Sequence, residues 1–201
     1  MSHLFETSLP SSRSRRSFLN LTAAGMGTAL LSALAAPLLQ QPIAQASGKA
    51  EALLLGCMDY RLMDEVAAYM QGRGLKDEYD HVVLAGAALG AVTDKKPEWN
   101  QTFWGHLEVA IALHQIEKVI VLDHRDCGAY NVLLNYEKLS KDPALETQIH
   151  TEKLQTLAKA IKAKYPKLQV ELLLMALDGK VEVIANPCLL YTSPSPRDRT
   201  R

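Results

Sequence analysis

The segment Val119–Tyr130, V-I-V-L-D-H-R-D-C-G-A-Y, constrains the fold more than any other part of the chain. An apolar run of strand length stops at His124, and Cys127 follows three residues later. Uninterrupted apolar runs of this kind belong to strands buried on both faces, the habit of parallel sheets. In open α/β sheets ligands bind beyond the carboxyl ends of such strands. A His-x-x-Cys turn there places two soft metal ligands at the functional end. Leu53–Gly56 makes a second such ending, running into Cys57-Met58-Asp59-Tyr60-Arg61. Cys57, His124 and Cys127 are three zinc-type ligands, and Asp59 and Arg61 set a carboxylate beside a cation.

The rest of the chain alternates between strand and helix patterns. Strands are expected over 51–56, 80–85, 117–122 and 168–177, with an edge strand over 180–184 after the Asp178-Gly179 turn. Helices are expected over 62–71, 99–113, 130–139 and 143–164. The small residues of 86–91 read as a loop that lets backbone approach closely, and they lack the spacing of a dinucleotide fingerprint. This alternation predicts an α/β fold, a mainly parallel β-sheet flanked by helices on both faces.

The termini read differently. Ser12–Leu21 is basic, with Arg15-Arg16 before Ser-Phe-Leu, and Thr22–Leu39 is uncharged and rich in Ala and Leu. Ala44 and Ala46 then form an A-x-A site. Residues 1–46 are expected to be a twin-arginine-type signal peptide, recognised by the twin-arginine export machinery, with a periplasmic mature protein. The competing expectation is an uncleaved inner-membrane anchor, since the apolar run is close to the shortest that spans a bilayer. Residues 188–201 have no amphipathic period and resemble the translated read-through of a sequencing adaptor, so they are expected to be a non-native tail and Cys188 is given no role.

Between these ends, residues 47–187 carry 16 basic and 20 acidic side chains. That mild acidity argues against a nucleic-acid binder, which would show a basic stripe. About 140 residues suffice for one domain with a real core. Only Cys57 and Cys127 remain there. In an oxidising compartment they invite a disulfide. Their polar neighbours, and a His at metal-ligand spacing from one of them, favour zinc.

Cys57-Met-Asp-Tyr-Arg61 resembles the C-x-D-x-R motif of the β-class carbonic anhydrases, and His124-Arg-Asp-Cys127-Gly128 resembles their H-x-x-C-G motif. The resemblance runs from about Leu53 to Ile184. It implies a zinc enzyme that reversibly hydrates carbon dioxide to bicarbonate by zinc-bound hydroxide, and a homodimer or a multiple of dimers. It implies Cys57, His124 and Cys127 as ligands, with Asp59 and Arg61 as the dyad that orients the hydroxide. It also implies that Asp59 can take the fourth zinc position in an inactive state. Val83-Leu84-Ala85-Gly86 departs from the Arg-Asn-Ala-Gly run the family often has. The amino-terminal arm that often embraces the partner is nearly absent, and the glutamine that arm region often contributes has no counterpart.

Arg125 and Asp126, inside the His-x-x-Cys turn, read as supporting charge. His81 and His106 read as packing or surface residues ahead of proton relays, and His114 and His150 as surface. Phe103 and Tyr130 read as core. Hydrolysis of a related small substrate, carbonyl sulfide or carbon disulfide, is a competing function. So is a non-catalytic zinc-binding protein, although a purely structural zinc fills all four positions with protein ligands and needs no dyad.

Overall fold

The structure is a computed structural model that describes residues 48–189. The expected signal segment, 1–46, and nearly all of the expected tail lie outside the described residues. Among the described residues no helix is long and apolar enough to cross a membrane.

Five strands form one sheet: β1 (Ala52–Cys57), β2 (Tyr79–Leu84), β3 (Lys118–His124), β4 (Gln169–Met175) and β5 (Val181–Val183). Their order is β2-β1-β3-β4-β5. All neighbours are parallel except β4 and β5, which the turn at Asp178-Gly179 joins antiparallel. The apolar runs became the central strands because only the middle of a covered sheet buries both faces. Every residue of β1 from Ala52 to Gly56 and every residue of β3 from Val119 to His124 is buried.

Two layers of helix cover the sheet. One face carries α2 (Ala88–Val92), α3 (Pro97–His114) and α5 (Pro143–Lys164). There Phe103, Leu107, Leu154, Leu157 and Ile161 pack on Leu53, Val121 and Leu172. Val66 and Met70 of α1 (Met63–Gly72), with Leu62 just before it, cover Leu54, Ile120 and Leu173 on the other face. A fifth helix, α4 (Gly128–Leu134), closes a smaller cluster of Leu89, Cys127, Tyr130 and Leu133.

Several boundaries differ from expectation for physical reasons. β3 runs two residues further, to His124, because His124 still pairs with Met175 on β4. α4 begins on Cys127 and stops at Asn135, which turns left-handed at φ 60°. The segment expected as a loop is a turn at Gly86–Ala87 followed by the buried helix α2. Its small residues serve close packing: a Cβ on Gly90 would lie 2.6 Å from the Ala85 carbonyl oxygen. His150, expected at the surface, is wholly buried. It shares the inward stripe of α5 with Glu146, Leu154, Leu157 and Ile161.

Gly90 gives a direct test of this packing. Intrinsic helix propensity favours alanine over glycine by about 1 kcal/mol, yet the backbone clash should make Gly90→Ala destabilising, by about 1–3 kcal/mol. Urea unfolding followed by circular dichroism measures the difference, and a stabilised variant contradicts the packing.

Candidate metal centre

The strand order reverses between β1 and β3. β1 connects outward to β2, and the chain then returns to place β3 on its other side. At such a switch point the two connections leave on opposite faces and open a crevice at the carboxyl ends. The parallel register sets Gly56 level with Leu122. Cys57 and His124 therefore finish neighbouring strands, and the turn after β3 brings Cys127 back between them.

The ligand atoms of Cys57, His124 and Cys127 all lie within 4.8 Å of one another. The two sulfurs are 3.9 Å apart. Two thiolates on one tetrahedral zinc stand about 3.8 Å apart, from Zn–S bonds of about 2.3 Å, whereas a disulfide closes to about 2.05 Å. Both cysteines are free. His124 is 3% exposed, and its Nδ1–H donates to the Arg125 carbonyl at 2.8 Å. That bond fixes the tautomer and leaves Nε2 as the free donor atom. Among the described residues Nε2 is buried without a hydrogen-bond partner, a costly condition for a polar atom unless something else binds it. The donor set and its geometry fit zinc.

The sulfurs are not equivalent. Cys57 is lowered well below the usual thiol range, chiefly by its hydrogen bond with Cys127, with His124 and the Gly86 N–H adding to the effect against burial. Cys127 is raised, by the same hydrogen bond and by burial. Burial opposes a charge on His124, but the nearby Cys57 thiolate outweighs it and raises the imidazole. The Gly86 N–H reaches the Cys57 sulfur at 3.3 Å.

Asp59 and Arg61 form a bidentate pair: Nε donates to Oδ1 at 2.9 Å and Nη2 to Oδ2 at 2.7 Å. The backbone helps, because the Arg61 N–H also donates to Asp59 Oδ1 as the short turn Tyr60–Leu62 begins. The guanidinium hydrogen bond holds the Asp59 carboxyl at about 2. Its Oδ2 stands 3.7 Å from His124 Nε2. All five residues singled out in the sequence are thus brought together.

The residues around them do more than sequence reasoning assigned. Asp126, inside the His-x-x-Cys turn, takes φ 55°, a left-handed conformation that Asp tolerates better than most residues. Its carboxylate accepts from Arg61 Nη1 at 3.1 Å and from Ser140 at 2.7 Å. Arg61 is therefore clamped between two carboxylates. The turn itself is anchored by Glu146, which is 2% exposed and accepts from the Asp126 N–H at 2.7 Å and from Arg125. Arg125 continues to Thr147 and Glu182. Beneath the site, Asp123 accepts from the Ala88 N–H, from Tyr130 and from His150. A signal for Glu146 and His150 existed: both lie four residues apart on the stripe that runs back from Leu154. His81 lies against Gly56, the residue before Cys57, and lines a separate pocket with His106 and His114; His114 pairs with Asp80 at the far end of the sheet.

Beside the ligands lies a cleft of about 430 Å³ whose walls include Ala85, Trp99, Ala129, Val132 and Leu133. Met58, Tyr60 and Val132 are largely exposed at its rim.

Comparison with known proteins gives the family. Residues 47–185 match the model of a family described as "Putative carbonic anhydrase". An uncharacterized protein of Rickettsia bellii is 44% identical over 136 residues, covering 68% of this chain and 82% of its own. Another, of Rickettsia conorii, is 41% identical over 136 residues, covering 68% and 73%. Among solved structures, a carbonic anhydrase of Streptococcus mutans aligns with TM-score 0.47 and 19% identity, covering 69% of this chain and 84% of that one. A mutant of the β-carbonic anhydrase CafD from Aspergillus fumigatus aligns with TM-score 0.48 and 17% identity, covering 78% and 97%. The match over residues 47–185, together with the two relatives, places this chain in the family described as "Putative carbonic anhydrase".

Proposed function

We propose that the protein is a zinc-dependent carbonic anhydrase that interconverts carbon dioxide and bicarbonate. One observation carries the reading. Two thiols and an imidazole nitrogen that has no hydrogen-bond partner among the described residues converge within 4.8 Å at the carboxyl ends of β1 and β3, beside a carboxyl held at about 2. Cys57, His124 and Cys127 would hold the metal. Zinc in a three-ligand site supplies a water acidified toward neutral pH and ready to attack an electrophilic carbon.

The chain's own residues do the rest. Asp59 is ionised throughout the working range and can only accept hydrogen bonds. It therefore directs a donor hydrogen toward itself and turns an oxygen lone pair toward the cleft. Arg61 keeps that carboxylate at one angle, because both ends of the guanidinium are engaged, by Asp59 and by Asp126. The hydrogen bond from Gly86 draws negative charge from the Cys57 sulfur, which offsets the weaker acidification that two thiolates bring. The apolar cleft walls suit a small, neutral, linear molecule, and carbon dioxide is one. Asp59 also lies close enough to the ligands to occupy the fourth position itself when the enzyme is inactive.

A second copy of the chain belongs to the same proposal. Tyr60 is 86% exposed, Val132 76% and Met58 63%, all at the mouth of the cleft. Large apolar side chains grouped at a site's rim mark an interaction surface. Covering them with a homodimer, or a multiple of dimers, would also dry the cleft. Export to the periplasm by the twin-arginine route is part of the proposal too, supported by Arg15-Arg16 and the Ala44-x-Ala46 site. So is a working domain over 47–187.

Stopped-flow hydration of carbon dioxide, with zinc quantified on the same sample, tests the activity. Wild type should turn over in proportion to its zinc and lose activity on chelation. Asp59→Asn should retain zinc while kcat/KM falls about 100-fold or more; a fully active Asp59→Asn removes the assigned role. Zinc-replete protein that hydrates only carbonyl sulfide or carbon disulfide would move the reading to that substrate, and zinc-replete protein inert toward all three would make it a non-catalytic binder. For the interface, Val132→Glu should shift the mass measured by light scattering from a dimer or larger assembly to a monomer, with the helical spectrum unchanged.

A further inference from the structure

We propose that Asp123 is the positioning residue of the metal centre, a buried carboxyl group that ties all three ligand-bearing segments to one another. The proposal rests on the zinc reading above. Asp123 is the penultimate residue of β3, next to His124, and it is 1% exposed. A carboxyl group so deeply buried is tolerated only with its oxygens satisfied. Oδ1 accepts from the Ala88 N–H at 2.9 Å, and Oδ2 accepts from the Tyr130 hydroxyl and from His150 Nδ1–H at 2.8 Å.

Each donor comes from a segment that builds part of the site. Ala88 follows the turn at Gly86–Ala87, where φ is 76° and 38°. The left-handed value at Ala87 is one that a side chain rarely adopts, so this turn needs an external hold. The Ala88 N–H is among the first in α2, where no intrahelical acceptor exists, and Asp123 provides one. The turn in its present shape aims the Gly86 N–H at the Cys57 sulfur, 3.3 Å away. It also packs closely on α4: a Cβ at Gly86 would lie 3.2 Å from that of Ala129.

Tyr130 sits in the first turn of α4, the helix that Cys127 starts, and is 1% exposed. Its hydroxyl bond to Asp123 locks that start against β3. His150 stacks on the Tyr130 ring with centroids 3.8 Å apart. It lies one helical turn from Glu146, which holds the Asp126 N–H. A single carboxyl group thus couples the turn behind Cys57, the strand end at His124, the helix start at Cys127 and the helix that braces the His-x-x-Cys turn. Hydrogen bonds to a ligand sulfur and the orientation of ligand-bearing segments tune both affinity and the sulfur's electron donation to the metal. Asp123 governs both from beneath the site without touching the metal.

The test is made on the full chain loaded with zinc or with cobalt(II). Asp123→Asn keeps the size of the side chain but turns an amide NH₂ toward at least one of the three donors. Zinc affinity, measured by competition with a chromophoric chelator, should fall about 10–100-fold. In the cobalt(II) form the thiolate-to-cobalt charge-transfer band should move to lower energy, because the Cys57 sulfur loses its N–H donor. Tyr130→Phe removes one donor and keeps the ring in the core; it should show the same changes at smaller amplitude, and it carries the test if Asp123→Asn does not fold. Variants with lowered melting temperature but unchanged affinity and cobalt spectrum overturn the proposal, since Asp123 would then only stabilise the fold. Neither readout depends on turnover. Shifted affinity and spectrum in a protein inert toward carbon dioxide would uphold this role and defeat the anhydrase reading. A wild type that binds neither metal would defeat both.

Discussion

Parallel hydrogen bonding between β1 and β3 sets the spacing on which the rest of the site depends. Neighbouring strands stand about 4.8 Å apart, and the register that sets Gly56 level with Leu122 brings Cys57 and His124 to the same end of the sheet. Neither residue could be moved by one position without turning to the opposite face. The reversal of strand order at this pair supplies the second condition. Because α1 leaves one face and α2 and α3 return on the other, a crevice opens between the two strand ends. The crevice is a consequence of topology, and the three residues that could hold a metal gather in it.

Charge around that crevice is arranged in tiers. Asp59 and Asp126 share Arg61 at the surface. An exposed ion pair of this kind contributes little stability; its value here lies in geometry, since a planar cation engaged on two edges fixes both carboxylates in direction. One layer down, Glu146 accepts from a backbone N–H and from Arg125, and so holds a turn whose Asp126 is left-handed. Deepest lies Asp123, with three donors from three segments. Polar groups so deeply buried are costly if any bond is missing. The backbone of the site is therefore held to one arrangement.

Much of this was legible in the sequence because its signals are local. The apolar runs at Leu53–Gly56 and Val119–Leu122, each stopping at a ligand-type residue, identified β1 and β3, the parallel sheet and the five residues that meet above it. The Asp59–Arg61 pair was legible for the same reason: two residues apart in an extended segment, they can meet without help from elsewhere. The segment 86–91 was misread because small residues satisfy a loop and a tightly packed helix equally well. What separates the two is the Ala85 carbonyl and the Asp123 carboxyl, which no local pattern contains. His150 was misplaced because polar residues are usually outside, and its partner lies 27 residues away.

The sequence by itself determined which atoms are offered as ligands, which strands carry them and that helices would flank a parallel sheet. Side-chain chemistry and the periods of strand and helix are properties of short segments, and they survive without knowledge of the whole. Only the tertiary structure decided which carboxyl groups lie beneath the centre, which backbone N–H faces the Cys57 sulfur and which apolar side chains stay exposed at the rim. Those depend on where β3, α2, α4 and α5 meet, and that meeting is fixed by the packing of residues far apart in the chain.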